Sequence, residues 1–73
     1  MNNLMMYEGK TVKLTDVDGD IFTGYVTDYI YADDNDPEVE GIIIKKPVRN
    51  NGYKYTHDVE FDAPEIKSIE IIE

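Results

Sequence analysis

The sequence predicts an all-β fold, a small five-stranded and strongly bent barrel, and three observations carry that expectation. Apolar and polar side chains alternate with a period of two along most of the chain, turn-forming residues recur at short intervals, and Gly24 interrupts the longest run of β-branched and aromatic residues. No stretch shows the three-turn periodicity of an amphipathic helix. With 73 residues the chain is one domain, spanning 1–73. A domain of this size buries only about 60% of the surface its unfolded chain exposes, so partner subunits would add to its stability.

The first strand runs from Lys10 to Thr15, with Val12 and Leu14 on one face and Thr11 and Lys13 on the other. Asp16 to Asp20, containing Gly19, is a turn. A second strand extends from Ile21 to Tyr31, with Phe22 and Val26 facing one way and Thr23, Tyr25 and Thr27 the other. Gly24 in its middle marks a tight bend or a close approach of another backbone. Ala32 to Glu38 collects Asp33, Asp34, Asn35, Asp36 and Pro37 and is a loop. Val39 to Lys45, with Ile42, Ile43 and Ile44, is a third strand whose pairing Pro47 ends. Asn50, Asn51 and Gly52 form a hairpin turn. The fourth strand, Tyr53 to Phe61, sets Tyr53, Tyr55, His57, Val59 and Phe61 against Lys54, Thr56, Asp58, Glu60 and Asp62. Ala63 to Glu65 makes one 3₁₀ turn, and Ile66 to Ile72 is the last strand. Val12, Leu14, Phe22, Val26, Ile43, Val59, Phe61 and Ile69 are the expected core.

Gly9, Val12, Leu14, Gly19, Phe22, Gly24 and Val26 together resemble the first motif of the Sm-like (LSM) domain family, whose barrel is shared with SH3-like domains. The resemblance spans nearly the whole chain and is most specific from Gly9 to Val26. Glu65 to Ile72 takes the position of the family's second motif, but its glycine-containing triplet has no counterpart here. The family's RNA pocket therefore does not carry over. What the resemblance does imply is ring-like association, in which strand four of one subunit pairs with strand five of the next. On that basis His57, Val59, Ile69, Ile71 and Ile72 are the candidate oligomer interface. The other arrangement has strand five closing on strand one of its own barrel, leaving a monomer or a simple dimer.

Charge narrows the function further. Sixteen acids against seven bases leave a formal net charge of −9, which repels a phosphate backbone at long range. The bases are nevertheless unevenly placed: none lies between Lys13 and Lys45, and Lys45, Lys46, Arg49 and Lys54 then follow closely. With Tyr53 and Tyr55 they make the hairpin 45–55 the candidate binding site, for an acidic protein surface or for RNA bases stacked on tyrosine. A self-associating protein-interaction module is the leading expectation; an RNA-binding protein using that hairpin is the alternative.

Enzymatic chemistry finds little support. His57 is the only histidine and Ser68 the only serine, cysteine is absent, and no carboxylate pair is spaced for general acid and base roles. Asp16-Val17-Asp18-Gly19-Asp20 places its glycine too early for a calcium loop, and Thr27 stands where a bidentate glutamate is needed. Neither a metal nor a cofactor is expected. The absence of cysteine suits a reducing compartment, and the stretch Met1 to Tyr7 has neither basic residues nor a long apolar run, so a soluble cytoplasmic protein is expected.

Overall fold

The alternation along Thr11–Asp16 (β1) turns Val12 and Leu14 into the interior, and the computed structural model, which describes residues 3–73, pairs that strand with two neighbours. On one side lies Ile21–Ile30 (β2), joined by the Asp16 to Asp20 turn, with Leu14 opposite Phe22 and Val12 opposite Gly24. The turn is stabilised by its first residue. Asp16 Oδ1 accepts the backbone N–H groups of Asp18 at 3.0 Å and Asp20 at 2.9 Å, while Gly19 adopts a φ of +89°. Gly41–Arg49 (β3) pairs with β2, Val59–Asp62 (β4) with β3, and Ile66–Ile71 (β5) with the free side of β1.

These five antiparallel strands form one sheet in the order β4-β3-β2-β1-β5. The sheet curls around a core of Leu4, Val12, Leu14, Phe22, Val26, Ile42, Ile44, Phe61 and Ile66 without closing, since β4 and β5 are not paired with each other. Short 3₁₀ turns at Met5–Tyr7, Ala32–Asp34 and Ala63–Glu65 complete the described residues, the last where proline and the following glutamate predict it. No helix among those residues is long and apolar enough to cross a membrane. Met1 and Asn2, which open the stretch read above for targeting signals, lie outside the described residues.

Gly24 is the pivot of the bend. A Cβ there would stand 2.6 Å from Ile44 Cγ2, 3.2 Å from the Lys45 carbonyl oxygen and 3.4 Å from Pro47 Cα. The pairing of Thr23 with Val48 and Tyr25 with Lys45 leaves Lys46 and Pro47 bulged opposite this one residue. That bulge corrects the expectation that Pro47 ends the third strand: β3 continues through it to Arg49. A bulge is where a strand tolerates a residue without N–H, and Pro47 sits there buried beside Lys46 at φ +37°.

The fourth strand is shorter than its alternation suggests. Only Val59–Asp62 is ladder, and Tyr53 to Asp58 forms an irregular arm with a single bridge from Lys54 to Val48. At the break, Asp58 Oδ1 accepts the Lys46 N–H at 3.1 Å, so a side chain takes the place of a ladder bond at the bulge. The core also differs in phase. Ile42 lies opposite Phe61 and shares its inward face, as does Ile44, whereas Ile43 lies opposite Glu60 and is only half-buried. Val59 and Ile69 are likewise half-buried against the core. Leu4, Ile66 and Pro47 are buried in addition to the expected set.

Candidate interaction surfaces

The Asn50 to Gly52 turn folds as its residues dictate. Gly52 takes a φ of +90° and donates its N–H to the Arg49 carbonyl at 2.8 Å, and Arg49 N–H reaches the Tyr53 carbonyl at 2.8 Å. Its two arms then separate the six candidate binding residues. Lys54 is paired with Val48 and shares the outer face of the sheet, while alternation turns Tyr53 and Tyr55 to the opposite side. Tyr55 packs half-buried on Phe22 with ring centroids 6.0 Å apart, and Tyr53 stands edge-on to Tyr55 at 4.8 Å. The tyrosines and Lys54 consequently address different directions.

Arg49 is also engaged within the chain, with its side chain about 33% exposed. Its Nη2 lies 2.6 Å from Asp20 Oδ2, and its guanidinium carbon lies 5.7 Å from the Phe22 ring centre. The hydrogen bond to Asp20 raises its pKa above the ordinary arginine value. Lys45 and Lys46 remain exposed. The pairing register adds two residues that sequence reasoning did not collect. Thr11, Tyr25 and Lys45 form one cross-strand row, and Lys13, Thr23, Val48 and Lys54 form the next, so Lys13 and the exposed Tyr25 join Lys45 and Lys54 on one face. Only the register carries this signal, because Lys13 is far from the hairpin in sequence.

The candidate oligomer residues are dispersed between two edges. Val59 opens β4, and His57, exposed just before it, donates from Nδ1 to the Asp58 carbonyl at 3.2 Å. Ile69 faces inward opposite Leu14, while Ile71 and Ile72 are exposed at the end of the chain. Ile72 donates its N–H to the Thr11 carbonyl at 2.9 Å, so the N–H of Ile71, one residue earlier, turns away from β1.

Acidic side chains converge at the other end of the sheet. Asn35 Nδ2 donates to the Val39 carbonyl at 3.0 Å and contacts Glu60 Oε2 and Asp62 Oδ1 at 3.2 Å each. Hydrogen bonding with Asp62, aided by local desolvation, pushes the Glu60 carboxyl above the usual range. Beside this cluster a groove of about 530 Å³ is lined by Tyr29, Ala32, Glu38, Val39, Glu40, Ala63 and Pro64. Glu40 Oε1 accepts the Leu4 N–H at 2.8 Å and the Tyr29 hydroxyl at 3.1 Å. Desolvation and the bond to Glu40 raise the Tyr29 pKa above its ordinary value. No three histidine or carboxylate side chains among the described residues are placed to hold a metal ion. Neither a protein-family model nor a curated protein sequence matches the chain.

Proposed function

We propose that this chain is a non-enzymatic Sm-like domain that self-associates through its strand edges and serves as a protein-interaction module in the cytoplasm. The observation that carries the reading is the open sheet. β4 and β5 each have a strand neighbour on one side only, and they lie at opposite ends of the strand order. One edge of a copy therefore complements the other edge of the next, a head-to-tail contact that closes into a ring when the rotation per subunit allows it. An unpaired edge also presents backbone donors and acceptors that favour recruitment of another strand. Pairing β5 with β1, the arrangement associated above with a monomer or simple dimer, uses one edge of β5 and leaves the other for a neighbour.

Ile71→Pro tests this directly. The substitution removes an N–H that faces the free edge, and the adjacent Ile72 bond to Thr11 does not depend on it. Native mass spectrometry of the wild type at modest salt shows an oligomer on this reading, and the variant reverts to monomer with little change in melting temperature. A monomeric wild type refutes it.

RNA binding is the second reading, favoured by the gathering of Lys13, Lys45 and Lys54 around Tyr25 on one face. It requires that oligouridine binding fall steeply with salt and be lost in a Lys45→Glu, Lys54→Glu double variant. Salt-independent association would count against it.

A further inference from the structure

We infer that the groove between the Ala32–Asp34 turn, the start of β3 and the Ala63–Glu65 turn is a binding site for a guanidinium group, an arginine side chain presented by a partner protein. The site does not depend on the strand-edge contact proposed above. Its lining supplies the two things such a side chain needs. Tyr29, Val39, Ala63 and Pro64 offer apolar and aromatic surface for the aliphatic stem, and Glu38 and Glu40 offer carboxylates for the charged end.

Glu40 is the residue that makes this groove a site rather than a dent in an acidic surface. Its Oε1 is held by two donors from different parts of the chain, the Leu4 N–H and the Tyr29 hydroxyl, and this fixes the plane and direction of the carboxylate. Its Oε2 has no donor among the described residues. The free oxygen of this half-buried carboxylate can take a charge-assisted N–H bond, and a guanidinium suits the groove better than an ammonium because it is more weakly hydrated and packs flat on apolar and aromatic walls. Tyr29 in the same wall adds aromatic surface next to the carboxylate.

The surrounding charge is complementary. Asp33, Asp34 and Asp36 lie in the loop leading to Glu38, and Asp62 and Glu65 bracket Ala63 and Pro64. Across the segments 14–44 and 55–66, which supply every lining residue, the sequence holds neither lysine nor arginine. An incoming guanidinium therefore meets no lysine or arginine on the chain segments that line the groove.

The test is a titration of the ¹⁵N-labelled full chain with Nα-acetyl-arginine amide, followed by amide chemical shifts. Capped ends imitate a residue within a polypeptide; free arginine, whose α-carboxylate would approach Glu38, serves as the comparison for a small-molecule ligand. The expected result is saturable shifts centred on Tyr29, Ala32, Val39 and Ala63, with weaker binding of free arginine. Nα-acetyl-citrulline amide, the neutral isostere, binds about tenfold more weakly or not at all. Glu40→Gln keeps an oxygen for Leu4 and Tyr29 and weakens arginine binding by a similar factor. Equal binding of citrulline, shifts spread over the acidic surface without saturation, or an unchanged affinity in Glu40→Gln would each overturn the assignment. Tighter binding of free arginine would overturn the partner side chain as its source. The citrulline comparison uses the wild-type protein, so the proposal stays testable even when the variant fails to fold.

Discussion

Gly24→Ala isolates the element on which the fold turns, because the added methyl has nowhere to go. Its carbon would lie 2.6 Å from Ile44 Cγ2, about 1 Å inside ordinary van der Waals contact, with the Lys45 carbonyl and Pro47 Cα closing the other directions. Ile44 is fully buried and its β-branched side chain is stiff about χ1, so it cannot swing aside without disturbing the core. Overpacking of this kind costs about 1–3 kcal/mol. Replacing glycine also restricts the unfolded chain, which returns about 0.4–1 kcal/mol. The net expectation is a loss of about 1–2 kcal/mol, measured by urea unfolding with an unchanged m-value, and a fall in melting temperature of about 4–16 °C for a domain of this size. The mechanism is tested by repeating the substitution in two backgrounds. Ile44→Ala removes the clashing Cγ2 and should absorb most of the cost; Ile44→Val keeps that methyl and should absorb little. A Gly24→Ala protein as stable as wild type, or an equal cost in both backgrounds, refutes the claim that the bend requires a missing Cβ.

Two further outcomes follow from the acidic side chains. Asp16→Ala removes the acceptor of two turn N–H groups and should destabilise the protein by about 1–2 kcal/mol, whereas Asp16→Asn keeps the oxygen and should cost less than half as much; equal losses in thermal unfolding would contradict that account. Glu60 has a folded-state pKa raised above its unfolded value, so its stabilising contribution is fully present below the unfolded value of about 4.3 and is lost as pH rises through the raised one. Glu60→Gln should accordingly raise the melting temperature slightly at neutral pH, by an amount reduced by solvent screening at this exposed site, and have a diminishing effect as the pH falls below about 4. A difference that is constant with pH would show that Glu60 acts by some other route.

The parts of the fold legible in the sequence are those set by neighbours along the chain. Alternation placed β1 and β2, the Asp16 and Gly52 turns followed from their residue types, and Gly24 announced a bend. The errors lie where a partner strand decides. Ile42, Ile43 and Ile44 carry no alternation, so only the pairing of Ile42 with Phe61 reveals which of them face inward. Pro47 reads as a strand end until Gly24 is placed opposite it and the bulge gives a residue without N–H a position. The irregular arm before β4 depends on Asp58 reaching Lys46, which no local pattern announces. Much the same holds for the candidate site. The basic residues of the hairpin were visible, but the loss of Arg49 to Asp20 and the addition of Lys13 and Tyr25 are consequences of register.

The acid excess itself acquires a different meaning in the folded chain. Read from composition, it is a solvated surface that repels phosphate. In the structure Glu8, Asp16, Glu40, Asp58 and Glu65 each accept a backbone N–H, from Tyr29, Asp18 and Asp20, Leu4, Lys46 and Asp62 respectively. A 73-residue chain whose fourth strand is interrupted leaves donors that the ladder does not satisfy, and carboxylates fill those places. Net charge consequently describes how the domain is held together as much as what it repels. At about 0.1 M salt, charges more than about 10 Å apart are largely screened, so a ligand at the outer face senses Lys13, Lys45 and Lys54, together with Glu70 paired opposite Lys13, before it senses the distant loop acids. Charge alone therefore does not separate a protein partner from RNA. Edge and face can: Ile71→Pro removes a free-edge N–H without touching those lysines, and Lys45→Glu with Lys54→Glu reverses the charge of the face without removing an edge N–H.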